Sequence, residues 1–191
     1  MHSLSFFKTF AKKPTRVGAV WPSSNALARM MVKDIGLENA SAAVEIGPGT
    51  GAVTSVILDA IPDSAEFIAI EIDPGLHEIF TKRFPSVKSH NECASNIVSI
   101  LRKENIDKLD VVLSGLPWAS FPEELQLKLM DAVCEALAPK GVFATFAYLQ
   151  GTLLPAGKRF GKTLESRFSE VRKSPVVWRN LPPAFVYKCV L

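Results

Sequence analysis

The chain has 191 residues, enough for one domain with its own core, and 48% of them are hydrophobic, as in ordinary globular chains. No apolar run nears the roughly 18 residues of a spanning helix, and the N-terminus lacks the continuous apolar region of a secretory signal. The net charge of +3 is mild, and the three cysteines, Cys93, Cys134 and Cys189, contain no C-x-x-C pair, which argues for a reducing compartment and against a structural metal.

Residues 3–12, "SLSFFKTFAK", set Leu4, Phe7 and Phe10 on one helical face, with Phe6 widening it and Lys8, Lys12 and Lys13 beside it. Pro14 ends the segment. A basic amphipathic helix of this kind suits an anionic membrane interface; the alternative is packing on the domain's own core. Residues 24–36 read as a helix with a serine cap and a glycine stop. Strands are expected at 42–47, 66–72, 86–90, 109–114 and 141–147, and helices at 51–60, 75–83, 94–103 and 122–137. This βαβα order predicts a parallel sheet covered on both faces. Residues 156–168 space Phe160, Leu164 and Phe168 four apart, to dip toward lipid or to cover the sheet. The tail holds two β-rich runs, "EVRKSPVVWR" and "FVYKCVL", joined by "NLPPA". They predict a closing antiparallel pair at the sheet edge.

The most informative stretch is "VEIGPGTG", residues 44–51. Glu45 sits near the end of an apolar run, and Gly47, Gly49 and Gly51 follow at alternate positions, with Pro48 and Thr50 between them. A tight turn between strand and helix needs one glycine; three suggest bare backbone kept for a ligand at a helix N-terminus. The spacing is G-x-G-x-G rather than the G-x-G-x-x-G of dinucleotide folds. The next strand ends in "FIAIEIDP", which places Glu71 and Ile72 about twenty residues on, where an acid can accept from both hydroxyls of a ribose. "HNECA", residues 90–94, follows the third strand, and "LSGLPW", residues 113–118, ends the fourth.

In this order the motifs resemble those of class I S-adenosylmethionine-dependent methyltransferases, with a Rossmann-like α/β fold. The resemblance implies S-adenosylmethionine as cofactor, S-adenosylhomocysteine as product, and no metal. It assigns Ser23, Ser24, Glu45, Gly47, Pro48, Gly49, Thr50, Gly51, Glu71, Ile72, Glu92 and Cys93 to the cofactor, with Glu92 facing the adenine. Ser23 and Ser24 either cap a helix or close over the methionine end. Ser114, Gly115, Leu116, Pro117 and Trp118 match an aminomethyltransferase motif that surrounds the attacking nitrogen with backbone carbonyls and an aromatic wall.

Over nearly the whole chain, "VGAVWPSSNALARMM", "EIGPGTGAVT", "SGLPW" and "RNLPPAFVY" are similar to bacterial phospholipid N-methyltransferases. That family converts phosphatidylethanolamine through mono- and dimethyl forms to phosphatidylcholine. The resemblance implies one domain over 1–191, with 1–13 as a membrane-binding helix. Tyr148 and Tyr187 are expected at the amine pocket, their alternative being core packing. Arg179 and Asn180 are expected at the lipid headgroup. It further implies a cytoplasmic monomer, peripheral on the inner face of the cytoplasmic membrane, with no nucleic-acid partner. The competing resemblance is to rRNA adenine dimethyltransferases, which typically read N-L-P-[Y/F]. Ser114 departs from that asparagine, and the chain is expected to lack their RNA-gripping helical domain. A non-enzymatic membrane module is the third reading, opposed by the intact Glu45, Gly47, Gly49, Gly51 and Glu71.

Overall fold

A computed structural model describes residues 24–191. The helix expected over 3–12, with Leu4, Phe6, Phe7, Lys8, Phe10, Lys12 and Lys13, and Ser23 lie outside the described residues.

Helix α1, Asn25–Val32, begins where the Ser24 hydroxyl accepts the Leu27 N–H at 3.2 Å, satisfying a donor that the first turn leaves open. It stops earlier than expected. Gly36, at φ +74°, starts a single 3-10 turn over Leu37–Asn39 instead of closing the helix. Strands β1 (Ala42–Ile46), β2 (Glu66–Ile70), β3 (Lys88–His90), β4 (Leu109–Ser114) and β5 (Leu137–Tyr148) then alternate with helices. These are α2 (Thr54–Leu58), α3 (Pro74–Arg83), α4 (Ile97–Lys103) and α5 (Glu123–Ala136). Helix α6 (Pro155–Arg167) leads to β6 (Glu170–Lys173) and β7 (Ala184–Val190).

The seven strands form one sheet in the order β3-β2-β1-β4-β5-β7-β6. β1 to β5 run parallel, and β7 runs antiparallel to both β5 and β6. The expected Rossmann-like fold with an antiparallel closing pair is therefore the observed one. The antiparallel strand itself is inside the sheet, because Phe185, Val186, Tyr187 and Cys189 are buried, while β6 carries exposed Arg172 and Lys173 to the edge. Only "EVRK" of the first tail run is strand; Val177 adds one isolated bridge to Ala184.

Each sheet face has its own core. Leu27 and Met31 of α1, Ile57 of α2 and Val186 cover one face. On the other lie Ile97 and Ile100 of α4, Met130 and Val133 of α5, and Phe160 and Leu164 of α6. Phe160, Leu164 and Phe168 are buried, so α6 covers the sheet rather than offering these side chains outward. β1 is buried along its whole length, as befits a central parallel strand covered on both sides. Strand order reverses between β1 and β4, and the crevice at their carboxyl ends is where such sheets bind ligands.

Candidate active site

The loop after β1 is built for close approach. Gly47, Gly49 and Gly51 have φ of +68°, +57° and +81°, a region that side chains rarely adopt. Two of them are glycine for different reasons. A Cβ on Gly49 would meet nothing within 4 Å, so its backbone faces open space. A Cβ on Gly51 would lie 2.1 Å from Phe84 Cε2, so this glycine is required by packing on the Phe84 ring. The loop is tied down at both ends: Gly47 N–H donates to Ile70 O at 2.8 Å, and Gly51 N–H donates to Pro48 O at 2.9 Å. Arg83 holds the Thr50 carbonyl at 2.8 Å.

Glu71 directly follows the last residue of β2, and its side chain reaches the glycine loop. Its Oε2 accepts the Gly49 N–H at 3.1 Å and its Oε1 accepts the Asp73 N–H at 3.0 Å. Burial raises its carboxyl above the ordinary range; the backbone N–H groups of Asp73, Gly49 and Ile72 oppose the shift, and the charge of Asp73 adds to it. A carboxylate has about four lone-pair sites, so the fixed Glu71 group keeps acceptor capacity toward the cleft. Ile46, Gly47, Ile70, Glu71, Ile72 and Glu92 line that cleft, with Ala94 and Leu116. Glu92 is only half available to it, since its carboxylate accepts from Lys103 Nζ and Asn96 Nδ2, both at 3.1 Å, which hold its pKa down.

Several residues assigned from the motifs stand elsewhere. Glu45 is 2% exposed, bonded by the Thr54 hydroxyl at the start of α2, so it supports the loop from beneath and does not face the cleft. Burial pushes its carboxyl up to about 7; the Thr54 hydrogen bond opposes this and the charge of Glu71 adds to it. The Cys93 sulfur accepts from the Ser95 hydroxyl at 3.2 Å. Trp118 does not wall an open pocket. Its indole is buried, stacked on Phe160 at 4.8 Å between ring centres, edge-on to Phe143, with Nε1 donating to Ser114 Oγ at 3.1 Å. Tyr187 is likewise a core side chain, edge-on to Phe160 and Phe185. The reason is α6, whose Phe160 closes over this side of the sheet.

The loop after β4 meets the glycine loop directly. Gly115 N–H donates to Ile46 O at 2.8 Å, and a Cβ on Gly115 would stand 2.5 Å from Gly47 O. The two motifs are thus interlocked through bare backbone. Within "SGLP", the carbonyls of Ser114, Leu116 and Pro117 accept from Thr145 Oγ1, Trp118 N and Ser120 N. No hydrogen bond to the Gly115 carbonyl is made among the described residues. Tyr148 ends β5, half-buried against Phe146 at 5.4 Å, and burial raises its phenol above the usual range. Asn180 ties two distant motifs together. Its Oδ1 accepts the Ser24 N–H at 3.0 Å and its Nδ2 donates to Pro182 O at 2.7 Å, so its side chain is occupied in holding the chain. Arg179 next to it is exposed.

Ile46, Ile70 and Ala94, which line the cleft, were not singled out from sequence. The first two read only as strand interior; the signal is that each falls within one residue of a motif position. Among the described residues, no group of His, Cys, Asp or Glu is placed to hold a metal ion.

The fold is matched by solved structures. An O-methyltransferase from Bacillus cereus, in complex with S-adenosylhomocysteine, superposes with a TM-score of 0.68 at 12% identity, over 98% of this chain and 89% of that one. The O-methyltransferase TomG from Streptomyces achromogenes, in complex with S-adenosylmethionine, gives 0.66 at 18% identity, over 100% and 90%. The chain thus has the fold of class I S-adenosylmethionine-dependent methyltransferases. No protein-family model matches the chain. It is, however, 34% identical over 187 residues to the ornithine lipid N-methyltransferase of Singulisphaera acidiphila, covering 96% of this chain and 93% of that protein. The chain belongs to the family of that lipid N-methyltransferase. A ribosomal RNA small subunit methyltransferase A from Thermotoga petrophila is 27% identical over 62% of this chain, and the match spans 44% of that protein.

Proposed function

We propose that the protein methylates the primary amine of a membrane aminolipid, using S-adenosylmethionine. The observation that carries this reading is the 34% identity to a lipid N-methyltransferase along almost the entire chain. Phosphatidylethanolamine, suggested by the motifs, and ornithine lipid, suggested by the relative, share the decisive chemistry: a primary amine a few bonds from an anionic group. Both are candidate substrates, and the reaction runs toward the N-methylated lipids, phosphatidylcholine in the first case.

S-adenosylmethionine supplies an electrophilic methyl on a sulfonium. Glu71, held by two backbone N–H groups, accepts from the ribose hydroxyls, and Gly49 lets the ligand lie against bare backbone. Glu92 and the apolar cleft wall of Ile72, Ala94 and Leu116 enclose the adenine. The Gly115 carbonyl accepts an N–H of the incoming amine and points its lone pair at the methyl carbon. Tyr148, a half-buried phenol, bounds the amine site, and the exposed Arg179 meets the anionic group of the lipid. The lipid's ammonium would have to lose a proton to water before attack; the neutral amine would then form the N–C bond while the S–C pair returns to sulfur. The positive charge would pass from sulfur to nitrogen, so alignment and desolvation would be the protein's main contributions.

The test is incubation with methyl-labelled S-adenosylmethionine and vesicles containing phosphatidylethanolamine or ornithine lipid, beside ribosomal RNA. Label in either lipid, removed by Tyr148→Ala or Arg179→Ala with cofactor affinity retained, is the expected result. Label in RNA alone overturns the lipid reading.

A further inference from the structure

Two loops at the carboxyl edge of the sheet expose more apolar surface than a methyl-transfer site requires. One is the 3-10 turn over Leu149–Leu153 with the start of α6; the other runs from 174 to 183. They are joined by the Leu149 N–H to Pro183 O bond of 2.9 Å and by the pairing of Tyr148 with Ala184. Leu153, Leu154, Trp178 and Leu181 are 73%, 54%, 72% and 79% exposed. Of the eight exposed large apolar side chains among the described residues, five fall on these two loops, counting Leu149. Scattered apolar residues need no explanation, but a cluster does.

Both chain segments that carry the cluster are basic, with Glu123 of α5 paired to Arg159 at 3.7 Å beside them. Residues 149–164 and 171–191 contain no Asp or Glu, while Lys158 and Arg179 stand exposed beside the apolar side chains. The chain enters the described fold here as well, since Ser24 is bonded to Asn180 within this loop. Tyr148, at the amine site proposed above, ends the strand that leads into the first loop.

We infer that this rim, Leu153, Leu154, Trp178 and Leu181 with Lys158 and Arg179, is a docking surface for an anionic lipid bilayer. It seats the enzyme with the carboxyl edge of its sheet facing the headgroups. Exposed leucines and a tryptophan enter the headgroup–acyl boundary, and the cations meet anionic lipid. This inference rests on the lipid reading of the site, and adds a surface within the folded domain that acts besides the N-terminal segment.

The test uses the full chain and phosphatidylglycerol/phosphatidylcholine vesicles, with co-sedimentation as readout. The variant Leu153→Ser/Trp178→Ser/Leu181→Ser changes only exposed side chains. Its vesicle affinity is expected to fall about 100-fold, from the loss of three inserted apolar groups. Cofactor affinity by calorimetry, and methyl transfer to a short-chain aminolipid dissolved as monomer, are expected to stay at the parent level. Lys158→Glu is expected to cost about tenfold at low salt and little at high salt. Unchanged vesicle binding by the folded triple variant overturns the docking surface. So does a parent dimer that the triple variant converts to monomer, which would assign the rim to a second copy. An unshifted Trp178 emission on adding vesicles also overturns it, because the rim is then covered by the chain's own N-terminal segment. Rim-dependent vesicle binding with no methyl transfer to any lipid leaves the surface standing and overturns only the lipid-methylation reading.

Discussion

The two halves of the sheet are built on different principles. Around β1, β2 and β4 the site is made of backbone: glycines at positive φ, N–H groups that fix one carboxylate, and two loops interlocked through Gly47 and Gly115. Around β5, β7 and α6 it is made of side-chain packing, with Trp118, Phe143, Phe160 and Tyr187 in one aromatic cluster. A backbone site is specified by which residues can adopt a conformation, so it shows in a short motif. A packed site depends on what a distant helix brings over it. The first half should therefore fail by losing ligand affinity, the second by losing the fold.

The largest effect is expected at the packed half. Trp118→Ala removes a buried, stacked indole and should destabilise the protein by about 3–5 kcal/mol, as for other large aromatic deletions. Chemical denaturation checks this, and turnover and cofactor affinity should fall together as the folded fraction falls. A folded, stable variant with turnover alone abolished would return Trp118 to the amine site.

The next concerns the support beneath the glycine loop. Glu45 has its folded pKa raised to about 7 from an ordinary 4.5. Between those values the native state holds a proton that the unfolded chain has released, so this contribution is full below the lower value and is lost as pH rises through the upper one. Stability should fall on that account by up to about 3 kcal/mol from pH 4.5 to 7, then level off. Glu45→Gln should flatten the slope, which urea melts across pH 5–8 would reveal. A slope identical to the parent's would show that Glu45 titrates normally.

Glu71→Ala probes the backbone half directly. It should weaken S-adenosylmethionine binding by about 1.5–3 kcal/mol, the range for hydrogen bonds to a charged acceptor. Calorimetry showing unchanged affinity in the folded variant would remove Glu71 from the ribose. The smallest effect is expected at the junction of the two halves. Ser24→Ala deletes the α1 cap and should cost about 1 kcal/mol, read as a shifted denaturation midpoint, with cofactor affinity unaltered.

The order of strands and helices, the glycine loop and the placement of Glu71 were legible in the sequence, because each depends on local periodicity or on a backbone conformation that few residues allow. Helix ends were less so: Gly36 looked like a helix stop and is a turn outside α1. The burial of Trp118, Tyr187 and Glu45, the tether from Asn180 to Ser24 and the apolar rim were decided only by tertiary structure. An aromatic beside a motif reads the same whether it faces ligand or core. Which it does is set by α6, a helix about forty residues away in the chain from Trp118, and by the sheet register that places β7 between β5 and β6.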